Sequence, residues 1–177
     1  GRRGYDARFL GRLGGSAACR KCGRNLRMTT PTDLDFRRAM SHFATGVAVV
    51  TTRSSAGEQG ATISALTSVS LDPLLLLICL NRDSATYAAI AESGYFGLSV
   101  LNNSHKDVAM QFASRTADKF ASDVIERSED GTSFIKNALV QMHCEVVETF
   151  SGGTAALFMA LPPSMKVPAD EAPRLHF

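Results

Sequence analysis

Residues 60–73, GATISALTSVSLDP, alternate small hydroxyl-bearing side chains with apolar ones and carry no charge until Asp72. With a period of two, Thr62, Ser64, Ser68 and Ser70 share one face with Leu66. Ala61, Ile63, Ala65, Val69 and Leu71 share the other with Thr67. Such alternation predicts a β-strand. It closes at Asp72-Pro73, and LLLLICL at 74–80 follows as a run expected to form a fully buried strand. The polar face is unusual. A solvated strand normally shows Lys, Glu or Arg, and this one shows only short neutral hydroxyls.

The flanking segments extend the β-rich reading. DLDFRRAMSHFAT (33–45) sets Leu34, Phe36, Ala39, Met40 and Phe43 at helical spacing behind Thr32 and Asp33 as caps, and Gly46 ends it. VAVVTT (47–52) is a β-branched strand and RSSAGEQG a turn. DSATYAAIAESG (83–94) predicts a short helix with Asp83 or Ser84 as N-cap and Gly94 just past its end. YFGLSVL (95–101) reads as a strand, and NSHKDVAMQFA as a helix start with Ser104 and Asp107 in a near capping-box arrangement. A polar, irregular stretch reaches to about Gly131. ALVQMHCEVVETF (138–150) and TAALFMAL (154–161) are then expected as hairpin partners around Ser151-Gly152-Gly153. Strands outnumber helices, which favours an antiparallel barrel with a few peripheral helices.

A chain of 177 residues is long enough to bury one core without staples. Its charge is unevenly spread. Residues 1–27 hold eight Lys/Arg against Asp6 alone, whereas the remainder holds 11 basic and 16 acidic residues. The leader is Gly/Arg-rich and aperiodic, and Met28 followed by TTPTDLDFRRAM resembles a natural start. Residues 1–27 are therefore expected to lie outside the fold and 28–177 to form one domain, with no nucleic-acid partner. Cys19 and Cys22 make a lone CxxC with no second pair, which does not build a zinc site. Cys79 and Cys144 sit in apolar strands as small hydrophobes. The longest apolar run is too short for a bilayer, so no membrane partner and a cytoplasmic address are expected.

Catalytic side-chain constellations are missing. His42, His105, His143 and His176 are isolated, and the sequence holds no HExxH, GxSxG or P-loop. If the chain is an enzyme, a bound organic cofactor carries the chemistry. From the residues alone, the hydroxyl-faced strand has two readings: solvated surface, or a shelf for a flat polar heterocycle met by backbone groups and short hydroxyls. The start of the 83–94 helix, one strand further on, offers N–H groups suited to a phosphate.

The segments FRRAMSHFATGVAVVTT, GATISALTSVSLDPLLLLICLNRDSATYAAIAESGYFGLSVL and FASRTADKFA, in that order, closely resemble the flavin reductase-like, FMN-binding split-barrel family. The resemblance runs from about Asp35 to Asp123 and more loosely through ALVQMHCEVVETFSGGTAALF. It implies a mainly β fold, a Greek-key-like antiparallel split barrel assembled as a homodimer. It also implies binding of FMN or FAD and hydride transfer from NADH or NADPH to the flavin, which supplies a partner monooxygenase. No side chain need act as acid or base.

By motif position the flavin contacts fall on Gly60, Ala61, Thr62, Ser64 and Ala65, then Cys79, Leu80 and Asn81, then Ala85 and Thr86. Gln111 and Phe112 match a further contacting pair, and Lys119 a phosphate or dinucleotide partner. Gly153, His176 and Phe177 fall on the nicotinamide side, and Thr45-Gly46 serves packing or the flavin. Three departures stand out. Ser151-Gly152-Gly153-Thr154 replaces a GDH-type turn, Pro162-Pro163 is expected to break a central strand, and the chain stops at RLHF. They keep two alternatives in view: a flavin-binding split-barrel protein with weak or no reductase activity, or an FMN-dependent oxidase or oxygenase of the same fold.

Overall fold

The computed structural model describes residues 30–114, 119–121 and 123–167. The basic leader, His176 and Phe177 lie outside them. The described residues fall into two compact units, divided between Ala44 and Thr45. Helix α1 (Asp33–Met40) belongs to the first and is shorter than the 33–45 expected. Its start is a capping box: Thr32 Oγ1 accepts from the Asp35 N–H at 3.2 Å, and the Asp35 carboxylate accepts from the Thr32 N–H at 3.0 Å.

The second unit holds nine strands and two α-helices among the described residues: β1 (Ala48–Ser54), β2 (Gly57–Ile63), β3 (Leu66–Leu71), β4 (Leu74–Asn81), α2 (Ala85–Ser93), β5 (Tyr95–Val100), α3 (Lys106–Ala113), β6 (Ile125–Arg127), β7 (Ser133–Ile135), β8 (Val140–Gly152) and β9 (Ala155–Lys166). Seven strands make one antiparallel sheet in the order β2-β1-β5-β8-β9-β4-β3, and β6-β7 form a separate ribbon. The sheet's two edge strands, β2 and β3, are consecutive in sequence. Ser64-Ala65 carries the chain from one edge to the other, and the Ala65 carbonyl accepts from the Cys79 N–H at 3.2 Å. Chain continuity therefore closes the barrel where ladder pairing stops.

The 60–71 segment is thus two strands and not one. The expected alternation holds to Ile63 and breaks at the corner, and a bulge between Ser68 and Ser70 shifts it again. Val69 and Leu71, expected on the buried face, are exposed, while Leu66 packs on the core. Strand β4 is not fully buried either. Leu76, Ile78 and Leu80 point into the core, and Leu75, Leu77 and Cys79 are half-buried. Helix α3 is entered through a short 3₁₀ turn, Asn103–His105. Asn102 caps that turn, its Oδ1 accepting from the Ser104 N–H at 3.0 Å, so the side-chain cap falls on Asn102 and not on Ser104 as expected, and α3 itself starts after His105 without a side-chain cap. The polar stretch before Gly131 contains β6, which the sequence reading missed along with β7.

Pro162-Pro163 does not break β9. The pair lies beyond the last rung to β4, Leu76↔Ala160, and inside the irregularity that separates the rungs Glu145↔Leu161 and His143↔Ser164. No ladder N–H is required there, so proline is tolerated.

Two apolar clusters flank β1, whose Val49 and Val50 are both fully buried but face opposite ways. Val50 joins Ile78, Phe96, Leu98, Cys144 and Phe158 inside the barrel, with Ile90 of α2. Val49 joins Val108 and Phe112 of α3, Ile125 and Ile135 outside it. Buried hydroxyls pin β7 onto the outer face: Thr51 donates to the Ser133 carbonyl, and Ser99 accepts from the Ile135 N–H at 3.0 Å.

Candidate functional site

The site forms where the barrel closes. Strand β2 pairs with β1 only, so its outer edge carries backbone groups free of the ladder. Ser64 and Ala65, at the corner, are exposed and present little more than a hydroxyl and a methyl. The end of β4 comes alongside, with Cys79 half-buried, Leu80 turned into the core and Asn81 exposed. Asn81 then organises the entry to α2: its Oδ1 accepts from the Asp83 N–H at 2.9 Å, and its carbonyl accepts from the Ser84 hydroxyl at 2.7 Å.

Ser84 is the N-cap and takes the Tyr87 N–H at 3.1 Å. The first N–H groups of the helix, those of Ala85 and Thr86, have no partner within the helix itself. Gly94, in the left-handed conformation at φ 75°, ends it as expected. Ala85 is exposed, but Thr86 is only 4 % exposed and its hydroxyl has no hydrogen-bond partner among the described residues. An orphaned buried hydroxyl is costly, and here it stands at a helix start with positive partial charge. Both features suit an anionic group with acceptor oxygens.

The structure also shows which expected residues have their side chains engaged elsewhere. Gly60 is buried beneath α3: a Cβ there would lie 2.7 Å from the Phe112 ring and 3.0 Å from the Val50 carbonyl. Phe112 is 1 % exposed and meets Phe120 edge-on, with centroids 5.4 Å apart. Thr62 donates its hydroxyl to the Ala109 carbonyl at 2.6 Å. Gln111 Nε2 donates to the Lys119 carbonyl at 3.1 Å. Lys119 Nζ donates to the Gly60 and Phe112 carbonyls at 3.2 and 3.1 Å, and burial lowers its pKa. Of the thirteen flavin-contact candidates, Ser64, Ala65, Asn81 and Ala85 are exposed and Cys79 is half-buried, while the Ala61 methyl packs against the barrel core and Thr86 is buried with a hydroxyl that has no partner among the described residues. Burial also raises the pKa of the two thiols among the described residues, Cys79 and Cys144, the latter to about 12, so neither is a ready nucleophile.

Gly153 lies in the exposed β8–β9 turn, which the rung Asn81↔Ala155 carries to the end of β4. The Thr154 carbonyl accepts from the Arg82 N–H at 3.1 Å, and the Arg82 guanidinium donates to Ser151 Oγ at 3.0 Å. Arg82 is a basic group beside the α2 start that the sequence reading passed over. Its only signal was its place in NRDSAT between an expected strand and an expected helix. Thr45 and Gly46 line a separate cleft with Leu101, Asn102 and Ala109.

Two polar clusters escaped the sequence reading because their members are far apart in the chain. Glu58 of β2 accepts from Arg127 at 2.9 Å and from Ser133 at 2.6 Å. Asp130 pairs with His143 Nδ1 at 3.0 Å, and His143 stacks on Tyr95 with centroids 5.5 Å apart. His105 is structural: its Nδ1 accepts from the Asn102 N–H and its Nε2 meets the Lys136 carbonyl at 3.0 Å. Among the described residues no group of His, Cys, Asp and Glu is arranged to hold a metal, and no helix is long and apolar enough to cross a membrane.

Residues 40–177 match the family described as flavin reductase like domain. The chain is 37 % identical over 126 residues to the reductase component of a 4-nitrophenol 4-monooxygenase/4-nitrocatechol 2-monooxygenase from Rhodococcus opacus, covering 71 % of this chain and 68 % of that one. It is 31 % identical over 146 residues to the FMN reductase (NADH) RutF of Agrobacterium fabrum, covering 81 % and 84 %. Among solved structures, the NADH:FAD oxidoreductase SgcE6 of Streptomyces globisporus superposes with a TM-score of 0.74 at 29 % identity, over 80 % of this chain and 87 % of that one. With this match across most of its length and a split-barrel fold of the same kind, the chain belongs to the flavin reductase-like domain family.

Proposed function

We propose that this protein is an NAD(P)H-dependent flavin reductase that passes reduced FMN or FAD to a partner monooxygenase. The observation that carries the reading is the convergence, at the closure of the barrel, of the small exposed corner Ser64-Ala65, the end of β4 and the α2 start, where the buried Thr86 hydroxyl has no partner among the described residues. These residues fit a flavin. Ala61, Ser64 and Ala65 would meet the ring system, Asn81 its polar rim, and Ala85 and Thr86 the phosphate. When bound, the flavin supplies the acceptor for the nicotinamide's hydride. The protein's own part is to hold the ring at the corner, exclude water from one side with the barrel wall, and place N–H donors where negative charge is carried. The similarity to a named monooxygenase reductase component and to a named FMN reductase (NADH) supports the same activity.

We assign the working form to a homodimer. Val69, Leu71, Leu74, Val147 and Phe150, on β3, β4 and β8, are exposed apolar residues that a second copy would cover. The free thiols of Cys79 and Cys144 accord with a cytoplasmic address.

Loss of NADH absorbance after adding FMN or FAD to the purified chain tests the activity, and catalytic turnover is expected. Flavin binding without NADH loss would transfer the protein to the second reading, a flavin-binding split barrel without reductase activity. The turn Ser151-Gly152-Gly153-Thr154, which presents no histidine beside the site, is the feature that favours it.

A further inference from the structure

We propose that Lys119 is a positioning residue, a latch that holds the Gly60 carbonyl of β2 to the C-terminal end of α3, and not a ligand of the flavin phosphate. The role rests on the flavin-reductase reading. Its basis is the direction of the ammonium's hydrogen bonds: Nζ donates to Gly60 O at 3.2 Å and to Phe112 O at 3.1 Å, two backbone carbonyls on different elements. Phe112 lies in the last turn of α3, whose terminal carbonyls have no acceptor role left within the helix and carry negative partial charge. A lysine there satisfies both the carbonyl and the dipole.

The latch is itself held in place. Gln111 Nε2 donates to the Lys119 carbonyl at 3.1 Å, and the neighbouring Phe120 ring sits edge-on against Phe112. A second tie runs parallel to it, from the Thr62 hydroxyl to the Ala109 carbonyl at 2.6 Å. The two ties attach α3 to an edge strand that otherwise pairs on one side only. Between them they span Gly60 to Thr62, the residues that lead directly into the exposed corner at Ser64-Ala65. The lowered pKa of Lys119, caused by burial, agrees with a head group drawn inward to carbonyls and away from solvent.

The alternatives predict different ligand dependence. A phosphate ligand is indifferent to riboflavin, which has the ring and no phosphate, whereas a latch sets the shelf that both flavins use. The test is a fluorescence titration of the 177-residue chain with FMN and with riboflavin, comparing wild type, Lys119→Met, Lys119→Arg and Thr62→Val. Lys119→Met is expected to weaken both flavins by the same factor, about tenfold, the equivalent of one charge-assisted hydrogen bond. Lys119→Arg, which keeps a cation able to reach both carbonyls, is expected to recover most of that loss. Thr62→Val, which leaves the lysine intact, is expected to weaken both flavins equally and more mildly. In the flavin-free chain, amide exchange in β2 and at the end of α3 is expected to quicken in Lys119→Met.

A Lys119→Met protein that loses FMN affinity but keeps riboflavin affinity would overturn the latch in favour of phosphate contact. Unchanged affinity for both, or unchanged exchange in β2, would overturn it outright. A wild-type chain that binds neither flavin overturns the flavin reading and this role with it, so the two failures are told apart by the wild-type titration.

Discussion

Gly60 shows how a residue's neighbours decide what its smallness is for. Its place in GATISALTSVSLDP suggests room for a ligand, but the space that a Cβ would fill belongs to the Phe112 ring and the Val50 carbonyl. Phe112 is locked in the outer core cluster and has little freedom to retreat. Gly60→Ala is therefore expected to cost about 1–3 kcal/mol by overpacking, measured by urea unfolding. Phe112→Leu in the same chain should return part of that loss as a coupling energy. Ser64, by contrast, is exposed at the corner and makes no packing contribution of that kind. Ser64→Lys is expected to abolish flavin binding by titration while the melting temperature stays within a few degrees of wild type.

Strand β2 takes its ladder from the adjacent β1 but is fixed on its other sides by partners distant in sequence. Its outer edge is tied by Lys119 and Thr62 to α3, and its N-terminal half by Glu58 to the β6–β7 ribbon. Burial alone would raise the Glu58 carboxyl. The hydrogen bonds from Arg127 and Ser133, with the charges of Arg127 and Arg53, outweigh it and hold the carboxyl below its ordinary 4.5. Because the folded value is the lower one, the stabilisation is complete above the unfolded value and is lost as pH falls through the folded one. Glu58→Gln is thus expected to be less stable than wild type by about 1 kcal/mol near neutral pH. The difference should narrow steadily below about pH 4.5, followed by chemical denaturation across that range.

At the scale of the whole molecule, the exposed apolar residues of β3, β4 and β8 are among those that the described part of a single chain leaves uncovered. Leu71 is 85 % exposed at the end of an edge strand, with Val69 and Leu74 near it in sequence. Sedimentation of the wild-type chain is expected to give twice the monomer mass. Leu71→Glu is expected to shift the population towards monomer with its far-ultraviolet circular dichroism unchanged. A wild type that sediments as a monomer would remove the case for a homodimer.

Local chemistry was legible along the chain wherever a signal and its cause were neighbours. The Ser84 cap, the Gly94 stop, the β-branched run of β1 and the long β8–β9 hairpin all arise from short-range sterics and hydrogen bonding. The ordered motifs from FRRAM to DKF, read as a resemblance, carried the family and with it the barrel. What the sequence could not show was which side of a small or polar residue would be filled. Ser64-Ala65 became a corner because two sheet edges met there, and Pro162-Pro163 stayed within a strand because a bulge removed the need for their N–H groups. Glu58, Arg127 and Ser133 found one another across dozens of intervening residues. Sequence by itself determined the longer helices and strands in outline and, through the order of its motifs, the family, since both depend on local pattern and order. Tertiary structure alone decided which hydroxyls, glycines and lysines remain open to a ligand, because that depends on what the rest of the chain packs against them.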